Sequence, residues 1–235
     1  DMLIQLGIPY NSEEGLKVAE EVMKFISEEG RKMSVELGEE KGSFPNFKGS
    51  VWEKRGYKTM RNATVTTIAP TGTIGVIAGC SSGIEPLFAI AYVREVSESL
   101  GTNLVEINPL FETTAIREGF YTEDLMKKIS GRTSIQDVQE IPENIRKIFV
   151  TAHDISPEWH VRMQAAFQKY TDNAVSKTIN FPYNATPHDV EKAYLLAYKL
   201  GCKGITIYRH GSREVQVLKP ISEASSVCPT CTLYS

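Results

Sequence analysis

The chain has 235 residues, 41% hydrophobic and 23% charged, the composition of an ordinary globular protein with one large domain or two small ones. A formal net charge of −3 gives no basic footprint for nucleic-acid binding, and no apolar run approaches the ~18 residues that would cross a membrane. Four cysteines, only two of them close together, do not make a secreted disulfide framework, and without a charged-then-apolar leader the expected setting is a reducing cytoplasm.

The opening DMLIQLGIPY begins inside an apolar pattern and reads as a cut end rather than a natural start. Asn11 and Ser12 are good N-caps and Glu14 is placed for a capping box. Leu16, Ala19, Val22, Met23 and Ile26 then recur at helical spacing. Alternating β-branched residues predict a strand over Arg61–Ile68. Directly after it comes APTGTIGVIAGCSSGIEP, Ala69–Pro86, rich in Gly, Thr and Ser and almost without charge.

Ser156 and Pro157 open a helix, as N-cap and first helical residue, that runs through Met163 and Phe167; RMQAAFQKY reads as its amphipathic face. Val175–Phe181 is a predicted strand, stopped by Pro182. Thr186-Pro187-His188-Asp189 starts another helix, with Val190, Ala193, Tyr194 and Ala197 on its apolar face. Gly201 ends it, and Gly204–Tyr208 is the next strand. Helices and strands alternating through short links imply parallel strands covered by helices, an α/β sheet or barrel. From about Val217 the periodicity is lost, which divides the chain into a folded region, 1–217, and a Ser-rich flexible tail, 218–235, ending SSVCPTCTLYS. No internal repeat of about 20–50 residues is present.

The run Thr71-Gly72-Thr73-Ile74-Gly75 after a strand has a physical reading. In α/β folds ligands sit where strands end and loops lead into helices. Such a loop offers free N–H groups and the positive end of a helix, glycines that let backbone approach an anion, and hydroxyls from Thr71 and Thr73. That describes a phosphate cradle without the lysine of the nucleotide-triphosphatase loop. A plain Gly/Thr turn is the other reading the residues allow.

The segment RNATVTTIAPTGTIGVIAGCSSGIEPLFAIAYVREV (Arg61–Val96) resembles the large catalytic chain of ribonucleotide reductases, most closely the adenosylcobalamin-dependent class II enzymes. LIQLGIPYNSEEGLKVAE, HVRMQAAFQKYTDNAVSKTINFP and AYKLGCKGITIYRHGSR extend the likeness over nearly the whole chain. The resemblance implies the C-terminal half of a ten-stranded α/β barrel that reduces ribonucleotides, diphosphates or triphosphates, to deoxyribonucleotides for DNA synthesis by radical chemistry. It also implies adenosylcobalamin as cofactor, a homodimer of the full enzyme, and a thioredoxin-like reductant. The family's substrate-phosphate loop carries over to Pro70, Thr71, Gly72, Thr73 and Ile74, with Gly75 standing where a serine is common. The family's radical cysteine lies in an Asn-x-Cys-x-Glu frame. No cysteine here has it: Cys80 is flanked two residues away by Ala78 and Ser82, Cys202 by Leu200 and Gly204. The resemblance therefore implies a partner N-terminal half and an inactive isolated segment.

Cys80 and Cys202 read as small structural residues. Cys228 and Cys231 form a Cys-x-x-Cys pair, which in this family's tail passes reducing equivalents to the active site by thiol–disulfide exchange. Half of a zinc site is the rival, but no further ligands follow in this chain. His153, His160, His188 and His210 lack metal-ligand spacing and read as surface or structural. Glu85 and Tyr92 are plausible pocket residues with no spacing argument behind them. Two other functions stay open: a different phosphate-binding α/β-barrel enzyme, and a non-catalytic chain that completes a partner's barrel.

Overall fold

The computed structural model describes residues 1–95, 103–130 and 132–212. Among them the chain begins with helix α1 (Met2–Leu6) and the long α2 (Glu13–Lys41). The Ser12 side chain accepts from the Gly15 N–H and caps α2, so the third helical position is Gly15 and the capping box expected through Glu14 does not form. The buried face of α2 runs through Gly15, Ala19, Met23, Ser27, Ser34 and Gly38. Ile26, placed on that face by spacing, is 49% exposed. The small residues have a cause. A Cβ on Gly38 would lie 2.6 Å from Thr59 Oγ1 and 3.0 Å from the Arg61 nitrogen, so the following segment lies directly on this helix.

After α3 (Val51–Lys54) that segment, Arg61–Ile68, is not a strand. Its backbone groups are taken elsewhere. Arg61 N–H donates to Ser34 O, Val65 N–H to Asp172 Oδ2, and Ala63 O accepts from the Trp52 indole. Only Ile68 joins a ladder, through a parallel bridge to Val175. β-Branched alternation survives here without strand pairing because side chains and a turn occupy the hydrogen bonds a neighbour would need.

The Gly-rich stretch does lead into a helix, α4 (Gly72–Ala78). The antiparallel pair β1 (Ala91–Glu95) and β2 (Asn103–Ile107) follows. The next helices are α5 (Pro109–Arg117), α6 (Glu123–Ile129) and α7 (Glu143–Ile148). They enclose one core in which Phe111 meets Phe149 edge-on at 5.1 Å, with Ile129, Ile135 and Ile141 fully buried.

The remainder matches the expected alternation. Helix α8 (Pro157–Gln168) starts at Ser156–Pro157, β3 covers Thr178–Phe181, α9 covers Pro187–Lys199 and β4 covers Thr206–Arg209. Thr186 and Asp189 close a reciprocal capping box on α9. Strands β3 and β4 pair in parallel with Ile179 opposite Ile207, which makes β3–α9–β4 a crossover unit. Val161 of α8, Ile179 and Phe181 of β3, and Ala193 and Ala197 of α9 form its core. Tyr194, expected on that face, is 48% exposed. Met163 and Ala166 turn the other side of α8 onto Ala19 of α2, flanked by the Arg162–Glu13 and Lys169–Glu20 ion pairs at 2.6 and 2.7 Å.

Candidate functional site

The site is built on a loop held at both ends by one short segment. At its start, Ile68 donates to Ala174 O and accepts from Ser176 N. At its end, Glu85 accepts from the Thr178 N–H at 2.5 Å and from Lys177 Nζ at 2.6 Å. Residues 69–84 therefore leave from and return to the stretch that enters β3.

Within the loop, Thr71 has φ 52° and ψ 29°, the one non-glycine residue with positive φ among the described residues. For a β-branched side chain this conformation is unfavourable by about 1–2 kcal/mol, and such outliers cluster at ligand sites. Thr71 immediately precedes α4. Gly75 N–H bonds back to Thr71 O at 2.8 Å, whereas the N–H groups of Gly72, Thr73 and Ile74 have no partner among the described residues. Gly72 and Thr73 are exposed and Thr71 half-buried. The second limb of the loop backs the first. A Cβ on Gly83, at φ 52°, would lie 3.2 Å from Ala69 O and 3.7 Å from Thr71 Oγ1. One on Gly75 would lie 2.7 Å from Ser82 Oγ and 3.1 Å from Cys80 O. A side chain at 75 would thus press on the opposite limb. Pro70, Thr71, Gly72, Thr73, Ile74 and Gly75 are thus brought together as one turn with three unpaired donors.

Cys80, expected to be a small buried residue, is exposed, because the turn closing α4 needs only its N–H, donated to Gly75 O. Cys202 is half-buried, and burial pushes its thiol up. Cys228 and Cys231 lie outside the described residues. Tyr92 stands on β1. His188 is an exposed residue of α9 beside Glu191.

Beneath the loop lies a group that spacing did not reveal. Lys177 has a fully buried side chain whose ammonium makes three contacts: Glu85 Oε2, His160 Nδ1 at 2.8 Å and Thr178 O at 2.5 Å. His160, also fully buried, donates from Nε2 to Ala152 O at 3.2 Å. A carbonyl can only accept, so Nε2 carries the proton and Nδ1 accepts from Lys177. Burial, then the Lys177 charge, holds the imidazole down to about 3, so it stays neutral near pH 7. Burial also lowers the Lys177 ammonium, opposed by the Glu85 carboxylate. A signal for Lys177 exists in the sequence: in V-S-K-T-I-N-F it falls in register with Val175, Ile179 and Phe181, all buried.

A cavity of about 300 Å³ lies alongside, lined among others by Ile4, Tyr10, Ile84, Glu85, Leu87 and Met163. Tyr10 donates to Ile84 O at 2.8 Å, and burial, reinforced by Glu85, raises its phenol well above the ordinary value. Among the described residues, no group of three or more His, Cys, Asp or Glu could hold a metal ion, and no helix is long and apolar enough to cross a membrane.

A parallel β–α–β unit under packed helices is the architecture of an α/β fold. The ribonucleotide reductase barrel domain matches residues 1–208, and the chain belongs to that family. It is 56% identical over 218 residues to the vitamin B12-dependent ribonucleoside-diphosphate reductase of Thermoplasma acidophilum, covering 93% of this chain and 28% of that one. The enzyme of the same description from Mycobacterium tuberculosis is 46% identical over 235 residues, all of this chain and 33% of its own length. The chain thus spans a third or less of these relatives. Among solved structures, the class Id ribonucleotide reductase alpha subunit of Actinobacillus ureae superposes with a TM-score of 0.73 over 89% of this chain and 37% of its own, at 23% identity, a likeness of fold.

Proposed function

We propose that this chain is the C-terminal half of the ten-stranded barrel of an adenosylcobalamin-dependent ribonucleoside-diphosphate reductase, with residues 1–217 in the barrel and 218–235 as a tail. The observation that carries the site assignment is the trio of unpaired N–H groups on Gly72, Thr73 and Ile74 after the left-handed Thr71. In this reading they take the phosphates of the ribonucleotide. Cobalamin would supply the initial radical, and protein groups position the substrate. The radical cysteine belongs to an N-terminal half, and Cys228 and Cys231 act as the redox shuttle to a thioredoxin-like reductant.

Thr73→Val in the full-length reductase tests the loop. Losing one charge-assisted hydrogen bond should weaken substrate binding by roughly 1–2 kcal/mol, read as a raised KM. An unchanged KM would remove the loop from substrate binding.

A further inference from the structure

We propose that Glu85, Lys177 and His160 are positioning residues for substrate phosphate: together they fix where the return limb of the 69–84 loop lands, and so hold its three free N–H groups in place. The inference rests on the assignment of that loop to phosphate.

The two ends of the loop are held differently. The Ile68 end is tied by backbone hydrogen bonds to Ala174 and Ser176, which no side-chain change removes. At the Glu85 end, a side chain makes the tie to Lys177 and Thr178, between the Tyr10 hydroxyl on Ile84 O and the backbone bridge of Leu87 to Thr151. Glu85 lies two residues beyond Gly83, whose backbone backs Ala69, Pro70 and Thr71, and three beyond Ser82, which meets Gly75. A shift at Glu85 is thus passed through the return limb to the start of α4. Lys177 cannot turn aside, because its three donors are taken by Glu85, His160 and Thr178. His160 in turn is held by Ala152 O, and Ala152 N–H bonds to Leu87 O at 2.7 Å, two residues past Glu85. The circuit Glu85–Lys177–His160–Ala152–Leu87 closes on the loop's own exit. An ion pair with a buried ammonium and a half-buried carboxylate is a poor source of stability but a directional one, since each misalignment leaves the buried charge without its partner.

The test compares Lys177→Met and Glu85→Gln with Thr73→Val in the full-length reductase, each assayed for kcat, KM and melting temperature. Inhibition by inorganic pyrophosphate serves as a probe of the phosphate site alone. Glu85→Gln keeps an acceptor for Thr178 N–H and is the variant to rely on if Lys177→Met does not fold. We expect KM and the pyrophosphate inhibition constant to rise together, about tenfold for Lys177→Met and several-fold for Glu85→Gln, with a smaller change in kcat. The double variant should lie nearer wild type than Lys177→Met, because it removes the stranded carboxylate. If Glu85→Gln lowers melting temperature while KM and pyrophosphate inhibition stay at wild-type values, the three residues are structural and the proposal fails. If Thr73→Val also leaves both constants unchanged, the loop assignment has failed first.

Discussion

Single side chains here have consequences that reach beyond their contacts. His160 is buried neutral, with its ionisation depressed from 6.5 to about 3, chiefly by burial and next by Lys177. An unfolded chain would protonate it near 6.5, so between those values the unfolded state binds more protons and folding weakens as pH falls. Its contribution is fully present above pH 6.5. We expect a loss from this group of about 2 kcal/mol between pH 7.5 and 5, on the linkage of 1.36 kcal/mol per pKa unit. The melting temperature of the full-length reductase followed down this range, with His160→Gln as the less acid-sensitive comparison, checks it. At Cys228 the expected effect is on turnover. Cys228→Ser should abolish repeated turnover with a protein reductant while sparing one turnover of pre-reduced enzyme, and a small dithiol should restore part of the rate. Loss of bound zinc from the variant would instead make the pair a metal site.

At the scale of elements, helix α2 shows how neighbours choose residues. At Gly38 its buried face has no room for a side chain, because the Thr59 hydroxyl and the backbone of Met60 and Arg61 lie on it. Gly38→Ala would gain helix propensity, on the order of 1 kcal/mol. The new methyl would meet Thr59 Oγ1 at 2.6 Å and the Arg61 nitrogen at 3.0 Å. Thr59 Oγ1 can rotate away only by giving up its 2.6 Å contact with Ser43. We therefore expect net destabilisation of about 1–3 kcal/mol by overpacking, seen as a lower denaturant midpoint, where an exposed glycine such as Gly72 would not show it.

The whole molecule presents apolar surface that calls for a neighbour. Ile74, Val76 and Ile77 of α4 are 68%, 63% and 82% exposed, and Tyr198 of α9 is 85% exposed. On the proposed reading the rest of the reductase chain covers α4 and extends the sheet beyond β4. The segment alone should therefore associate or dissolve poorly. Assayed with cofactor, reductant and nucleotide it should form no deoxynucleotide, and addition of the N-terminal half should restore product. Turnover by the isolated segment would refute the assignment.

What the sequence alone determined was local. Ser156–Pro157, the Thr186–Asp189 box and the Val175–Phe181 pattern act within a turn or a strand; they marked the starts of α8 and α9 and the end of β3, which is shorter than expected and begins at Thr178. The Pro70–Gly75 turn was legible for the same reason, and its family likeness with it. Tertiary structure decided what depends on distant partners. Arg61–Ile68 has strand chemistry, but Ser34, Trp52 and Asp172 take backbone hydrogen bonds of Arg61–Val65, so pairing with residues 173–176 is left to Thr66 and Ile68 and yields a single bridge. Lys177 and Glu85 lie far apart in sequence, and neither the register of the one nor the loop position of the other names its partner. Only the fold closes them against His160, because a buried ammonium is tolerated where a carboxylate, a neutral imidazole and a carbonyl meet it together.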